Sequence, residues 1–98
     1  MKLTGKAKEE FKKWLNENRF KYMMFALYYI VNFNSLDSSM KYGVLTDWLD
    51  SVRIDIDGIY DSEYKKISEK LKDCLTNHRY KARTAAIHKA NEIFNNLN

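Results

Sequence analysis

The chain has no proline, one cysteine and three glycines in 98 residues. A lone Cys74 cannot close an intrachain disulfide. The disulfide scaffolds of small secreted domains are therefore excluded, and a reducing compartment fits. No apolar run approaches the ~18 residues that a membrane span needs. The richest stretch, Tyr22 to Val31, is short and lies between Lys21 and Asn32. No apolar segment follows the first lysines, so the start of the chain does not read as a secretory leader. Repeats, low-complexity tracts and linkers are absent too. Together these absences point to a cytoplasmic protein without a membrane partner, folded as one domain over residues 1–98.

What is present is a core-forming composition. Hydrophobic residues make up 45% of the chain, enough to argue against wholesale disorder. Aromatic residues make up 14%, so large rings should fill much of the core. The net charge of +4 is unevenly spread. Residues 1–21 carry seven Lys/Arg against three acids, and residues 61–98 carry eight against five. Between them, residues 22–60 carry two against five. Two basic ends thus flank an acidic middle, which favours acidic partners without naming one.

Apolar spacing predicts an all-α bundle of four to five helices. Residues 4–18 place Ala7, Phe11, Trp14 and Leu15 on one stripe, with Thr4 as the cap. Arg19 to Phe33 reads as the central helix through Phe20, Met24 and Leu27. Leu36 to Val52 follows, capped by Asp37 or Ser38, with Met40, Val44, Trp48 and Val52 four apart. Gly43 within it would let another backbone approach closely. Residues 53–60 alternate polar and apolar and include Gly58, which predicts an extended connector or short strand. Asp61 to Leu75 reads as a helix with Asp61 or Ser62 as cap and Tyr64, Ile67, Leu71 and Cys74 on one face. Arg79 to Leu97 reads as the last, with Tyr80, Ile87, Ala90, Phe94 and Leu97 as its stripe and Asn95, Asn96 and Asn98 fraying its end. The core is expected around Phe20, Met24, Leu27, Trp48, Ile67, Leu71, Ile87 and Phe94.

Candidate binding residues cluster in charged segments. Arg79 and Arg83 lie one helical turn apart, and two planar guanidinium forks can grip a phosphate or carboxylate. Lys81 accompanies them on another azimuth, and Tyr80 can stack on a base. The competing reading is a solvated charged face. Lys12 and Lys13 belong to a lysine-rich set that could attract nucleic acid without reading sequence. Their neighbours Phe11 and Trp14, however, fall on the apolar stripe. Asp55 and Asp57 precede Gly58 as in the opening of a calcium loop. Tyr64 stands where that loop needs its bidentate Glu, so the metal pattern fails. Those aspartates suit a basic protein surface better. No residue set suggests a cofactor. His78 and His88 point to nearly opposite azimuths, His78 within reach of Asp73, and Cys74 sits on an apolar face. No catalytic constellation emerges, and a non-enzyme is expected. Exposed Tyr28, Tyr29 or Tyr42 would serve a self-associating assembly factor.

Three blocks carry a resemblance. Lys6 to Trp14 (KAKEEFKKW), Ser39 to Val52 (SMKYGVLTDWLDSV) and Ala82 to Asn95 (ARTAAIHKANEIFN) resemble a family of small phage and prophage proteins. In that family an opening GKAKEDFEKW, a middle YGVxxDFFDSV and a closing EARxxAIEKANEIYN element recur. The blocks cover somewhat over a third of the chain. Family members look strand-like between the second and third blocks, whereas Asp61 to Leu75 reads as helix here. The resemblance implies a small non-enzymatic inhibitor of a host defence enzyme. Its expected partner is a type VI CRISPR nuclease with its guide RNA, making the protein an anti-CRISPR. The alternative expectation is a basic DNA- or RNA-binding accessory protein of a phage or mobile element.

Overall fold

The computed structural model describes residues 2–18, 36–70 and 78–97. Four helices run through them: α1 (Gly5–Glu17), α2 (Ser38–Ser51), α3 (Ile56–Lys70) and α4 (His78–Asn95). Among the described residues there is no strand, so the fold is all-α. The segment expected as a central helix over Arg19 to Phe33 lies outside the described residues, as do Phe20, Met24, Leu27, Tyr28, Tyr29, Leu71, Asp73 and Cys74.

The core is built from rings and small residues. Phe11 of α1, Trp48 of α2 and Phe94 of α4 meet at its centre, with Trp48 5.5 Å from Phe11 and 5.1 Å from Phe94 between ring centroids. Tilted and edge-on arrangements of this kind suit the ring quadrupoles. Leu45, Leu49, Ile56 and Ile87 are fully enclosed around them. On α4, Ala82, Ala86 and Ala90 form a buried ridge of small side chains, which admits neighbouring helices at short distance. Of the expected core, Trp48, Ile87 and Phe94 are buried and Ile67 is half-buried. Tyr80 and Leu97 of the expected α4 stripe are instead exposed, because the buried face turns through the alanines.

The stretch 53–60 departs most from its expected extended form. α2 ends at the Val52 cap, and Arg53 takes the left-handed conformation at φ 63°. Arg53 N–H then donates to the Asp50 carbonyl at 3.1 Å and Ile54 N–H to the Leu49 carbonyl at 2.9 Å. These two bonds close a Schellman turn, with buried Ile54 against buried Leu49 as its apolar contact. Helix α3 starts directly after it. The Asp55 carboxylate accepts from Gly58 N–H at 3.2 Å, so Asp55 caps α3 rather than Asp61 or Ser62. Gly58 leaves room for that carboxylate, since a Cβ there would come within 2.7 Å of it. The apparent alternation is therefore a helix stop followed by a helix start. Ile56, Ile59 and Tyr60 follow helical spacing inward.

The start of α1 is capped by another helix. Thr4 makes no side-chain cap bond within its own helix. Its N–H donates to Asn91 Oδ1 at 2.9 Å, and its hydroxyl accepts from Asn91 Nδ2 at 3.0 Å. Asn95 accepts from Ala7 N–H at 2.8 Å and donates to the Thr4 carbonyl at 3.0 Å. Asn95 thus anchors the two ends instead of fraying α4. Gly5 permits this fit: its φ is +59°, and a Cβ would stand 3.3 Å from Asn95 Nδ2. At α2, Asp37 caps as expected, accepting from Met40 N–H at 2.9 Å. Gly43 has open space beside it, not an approaching backbone, because its side of α2 faces solvent.

Candidate functional site

One open cleft gathers residues from three helices. Tyr42, Asp57, Tyr60, Arg79 and Arg83 line a volume of about 370 Å³. Tyr42 is the fifth residue of α2, while Asp57 and Tyr60 are the second and fifth of α3. The second turn of α2, through Tyr42, and the first two turns of α3, through Asp57 and Tyr60, therefore border the cleft. Arg79 and Arg83 come one turn apart from the start of α4 as described. Two guanidiniums face one carboxylate, so the cleft carries net positive charge.

Local contacts fix the arginines differently. Arg83 is half-buried; its Nη1 donates to Ser39 Oγ at 3.0 Å and its guanidinium lies 5.3 Å from the centroid of the Tyr42 ring. That cation–π contact and hydrogen bond hold the fork in place while leaving further donors available. Arg79 is exposed. Among the described residues neither arginine is ion-paired, whereas Lys66 and Glu63 do pair at 3.6 Å beside a different cleft.

The tyrosines form the aromatic wall. Tyr42 and Tyr60 lie 6.1 Å apart, Tyr60 and Tyr64 5.9 Å, and Tyr64 and buried His78 6.1 Å. Burial, then the negative charge of Asp57 and the neighbouring Tyr60, push the Tyr42 hydroxyl up to about 12, against the opposing pull of Arg83 and Thr46. Tyr42 is consequently neutral throughout the physiological range, a ring with an intact O–H rather than a phenolate.

The sequence candidates divide between places. Arg79, Arg83 and Asp57 come together in the cleft. Tyr80 is 49% exposed and Lys81 is exposed, but neither lines it. Lys12 and Lys13 are exposed on α1 and form no part of it. Asp55 is taken up as the α3 cap and lines a second, larger cleft with Lys66, Lys89 and Ile93. Asp55 and Asp57, both exposed, thus line separate clefts. His78 is buried and His88 exposed, with no shared site. Among the described residues, no cluster of His, Cys, Asp and Glu could hold a metal ion. No helix among them is long and apolar enough to cross a membrane.

Tyr42 and Tyr60 are the site residues that the sequence reading missed. Tyr42 is packed against Tyr60 and Arg83 rather than freely displayed for self-association. Tyr60 fell in the misread 53–60 stretch. Reading Ile56, Tyr60, Glu63 and Ile67 as one helical face would have recovered the helix that carries it, though not its place beside Arg79 and Arg83. No family model, curated protein or solved structure matches the chain.

Proposed function

We propose that the protein is a non-enzymatic binding protein that docks its Arg79–Arg83 cleft onto a host nucleoprotein. The observation that carries this reading is the convergence, on an aromatic-walled cleft, of two arginines that have no ion-pair partner among the described residues. A merely solvated basic face would not bring Tyr42, Tyr60 and Asp57 around the same guanidiniums. The three sequence blocks point to a type VI RNA-guided RNA nuclease with its guide RNA as the nucleoprotein. Interference with its RNA handling is the outcome, by occlusion rather than chemistry. Exposed Asp50, Asp55 and Asp61 add an acidic flank suited to the effector's basic surface.

Charge reversal tests the reading. Arg79→Glu with Arg83→Glu should abolish co-precipitation with the purified effector carrying its guide RNA and restore target-RNA cleavage. Undiminished binding by the double variant would remove this cleft from the mechanism. A second reading, an accessory nucleic-acid-binding protein, is favoured by Tyr80, whose ring stands 49% exposed next to Arg79. It requires binding to bare nucleic acid that weakens steeply with rising salt. Absence of any gel shift at ~0.1 M salt, where close contacts persist, eliminates it.

A further inference from the structure

We infer that the cleft takes a ribonucleoside monophosphate unit, free or as one residue of a single-stranded RNA. The inference rests on the reading of this cleft as a recognition surface and goes on to name its ligand chemistry. About 370 Å³ of open space suits one nucleotide and is too small for a duplex. Arg79 and Arg83, one turn apart, present planar donor forks of the kind that grip phosphate oxygens. Asp57, an exposed carboxylate in the first turn of α3, lines the same cleft.

Asp57 decides the class of ligand. An ionised carboxylate only accepts hydrogen bonds. A protein carboxylate would bring negative charge to Asp57 and no donor to satisfy it, and inorganic phosphate would bring a hydroxyl but nothing to lie against the Tyr60 ring. A ribonucleotide brings both: a phosphate for the arginines and ribose hydroxyls that can donate to Asp57. The 2′-hydroxyl is also what separates RNA from DNA at a site. The ring of Tyr60 supplies an apolar wall for the base, while one side of Tyr42 is already occupied by the Arg83 guanidinium. Tyr42 remains an uncharged O–H donor there and adds no repulsion to the phosphate.

Fluorescence anisotropy on the full chain tests this at ~0.1 M salt, where screening leaves close contacts intact. The probes are a labelled short oligouridylate and its deoxyuridine counterpart, with uridine monophosphate and inorganic phosphate as competitors. RNA should bind about tenfold more tightly than DNA, the gain one hydrogen bond to a charged acceptor supplies. Asp57→Asn should reduce that preference, because its amide oxygen accepts only a neutral hydrogen bond, and should tighten DNA binding, because the repulsion is gone. Arg79→Gln should weaken both strands by about tenfold, as should Arg83→Lys, which keeps the charge and loses the fork. Arg79 and Asp57 are exposed, so their variants leave the core intact, and circular dichroism verifies this.

Displacement of the oligomer by uridine monophosphate assigns the site to a nucleotide unit in either form; resistance to it alongside the RNA preference assigns the site to the strand. Equal binding of RNA and DNA, an unchanged preference in Asp57→Asn, or equal displacement by inorganic phosphate overturns the inference. Failure here together with arginine-dependent co-precipitation would refute the nucleotide and leave the docking reading standing. Arginine-independent co-precipitation would refute the docking reading itself.

Discussion

The two halves of α4 use polar side chains in opposite ways. Near its C-terminal end, Asn91 and Asn95 spend their hydrogen-bonding groups on Thr4 and Ala7. Near its start, Arg79 and Arg83 face an open cleft with no carboxylate in ion-pair range among the described residues. An asparagine amide matches a helix start group for group, giving one acceptor and two donors to a frame that lacks both. A guanidinium has only donors, and a helical protein offers few internal groups to satisfy them all. The satisfied end therefore holds the fold, and the incompletely satisfied end is the one that the proposed docking uses.

Breaking the clasp should produce the largest change in stability. Asn91→Ala with Asn95→Ala leaves Thr4 and Ala7 without their partners, each loss costing about 1–3 kcal/mol where the groups are shielded. The two sites share Thr4, so their costs will not simply add. Urea denaturation should show the loss while binding of the RNA probe, corrected for folded fraction, stays constant. A double variant as stable as the parent chain would show that water satisfies the α1 start equally well.

A change of opposite sign comes from Arg53. Among the described residues it is the non-glycine residue at positive φ, placed where a Schellman turn favours glycine. Arg53→Gly should stabilise the protein by about 1 kcal/mol, the usual strain of such a residue. The variant's denaturation midpoint should rise without a change in slope. Smaller still should be the stability effect of Arg79→Gln, within about 0.5 kcal/mol for an exposed residue. Its large effect on binding and negligible effect on folding would be the reverse of the asparagine pair's behaviour, which sharpens the contrast between the two ends.

Helices were legible wherever an apolar stripe and an acceptor cap coincided. α2, with Asp37 before its Val44–Trp48 stripe, is such a case, while α1 was legible from its Ala7–Phe11 spacing alone. Residues 53–60 were opaque because the α2 stop uses arginine rather than glycine, and the α3 start hides within an alternating string. Once Asp55 is recognised as a cap, the same residues read as helix. Three of the five cleft residues were legible: Arg79 and Arg83 announce themselves by spacing and type, and Asp57 by the acidic string before Gly58. Tyr42 and Tyr60 did not, since their proximity to those arginines depends on how three helices pack. The Asn–Thr clasp spans 87 residues of sequence between Thr4 and Asn91, a separation at which no local pattern carries information.

Tyr42 provides the finest test of how the cleft is held together. Its hydroxyl titrates near 12 in the folded protein, against ~10 in an unfolded chain. Below pH ~10 both states keep the proton, and the contribution of Tyr42 to stability is complete. As pH rises from there towards 12, the unfolded chain releases the proton first, so the folded state loses ground. Tyr42→Phe removes the proton altogether. Its stability should therefore decline less steeply than that of the parent chain over that interval, in paired urea melts at pH ~9 and ~11. A matching absorbance titration should lose its step near pH 12. Identical slopes would mean that Asp57 and the burial beside Arg83 do not act on this ring. The cleft would then be an open, well-solvated surface, with little power to discriminate one anion from another.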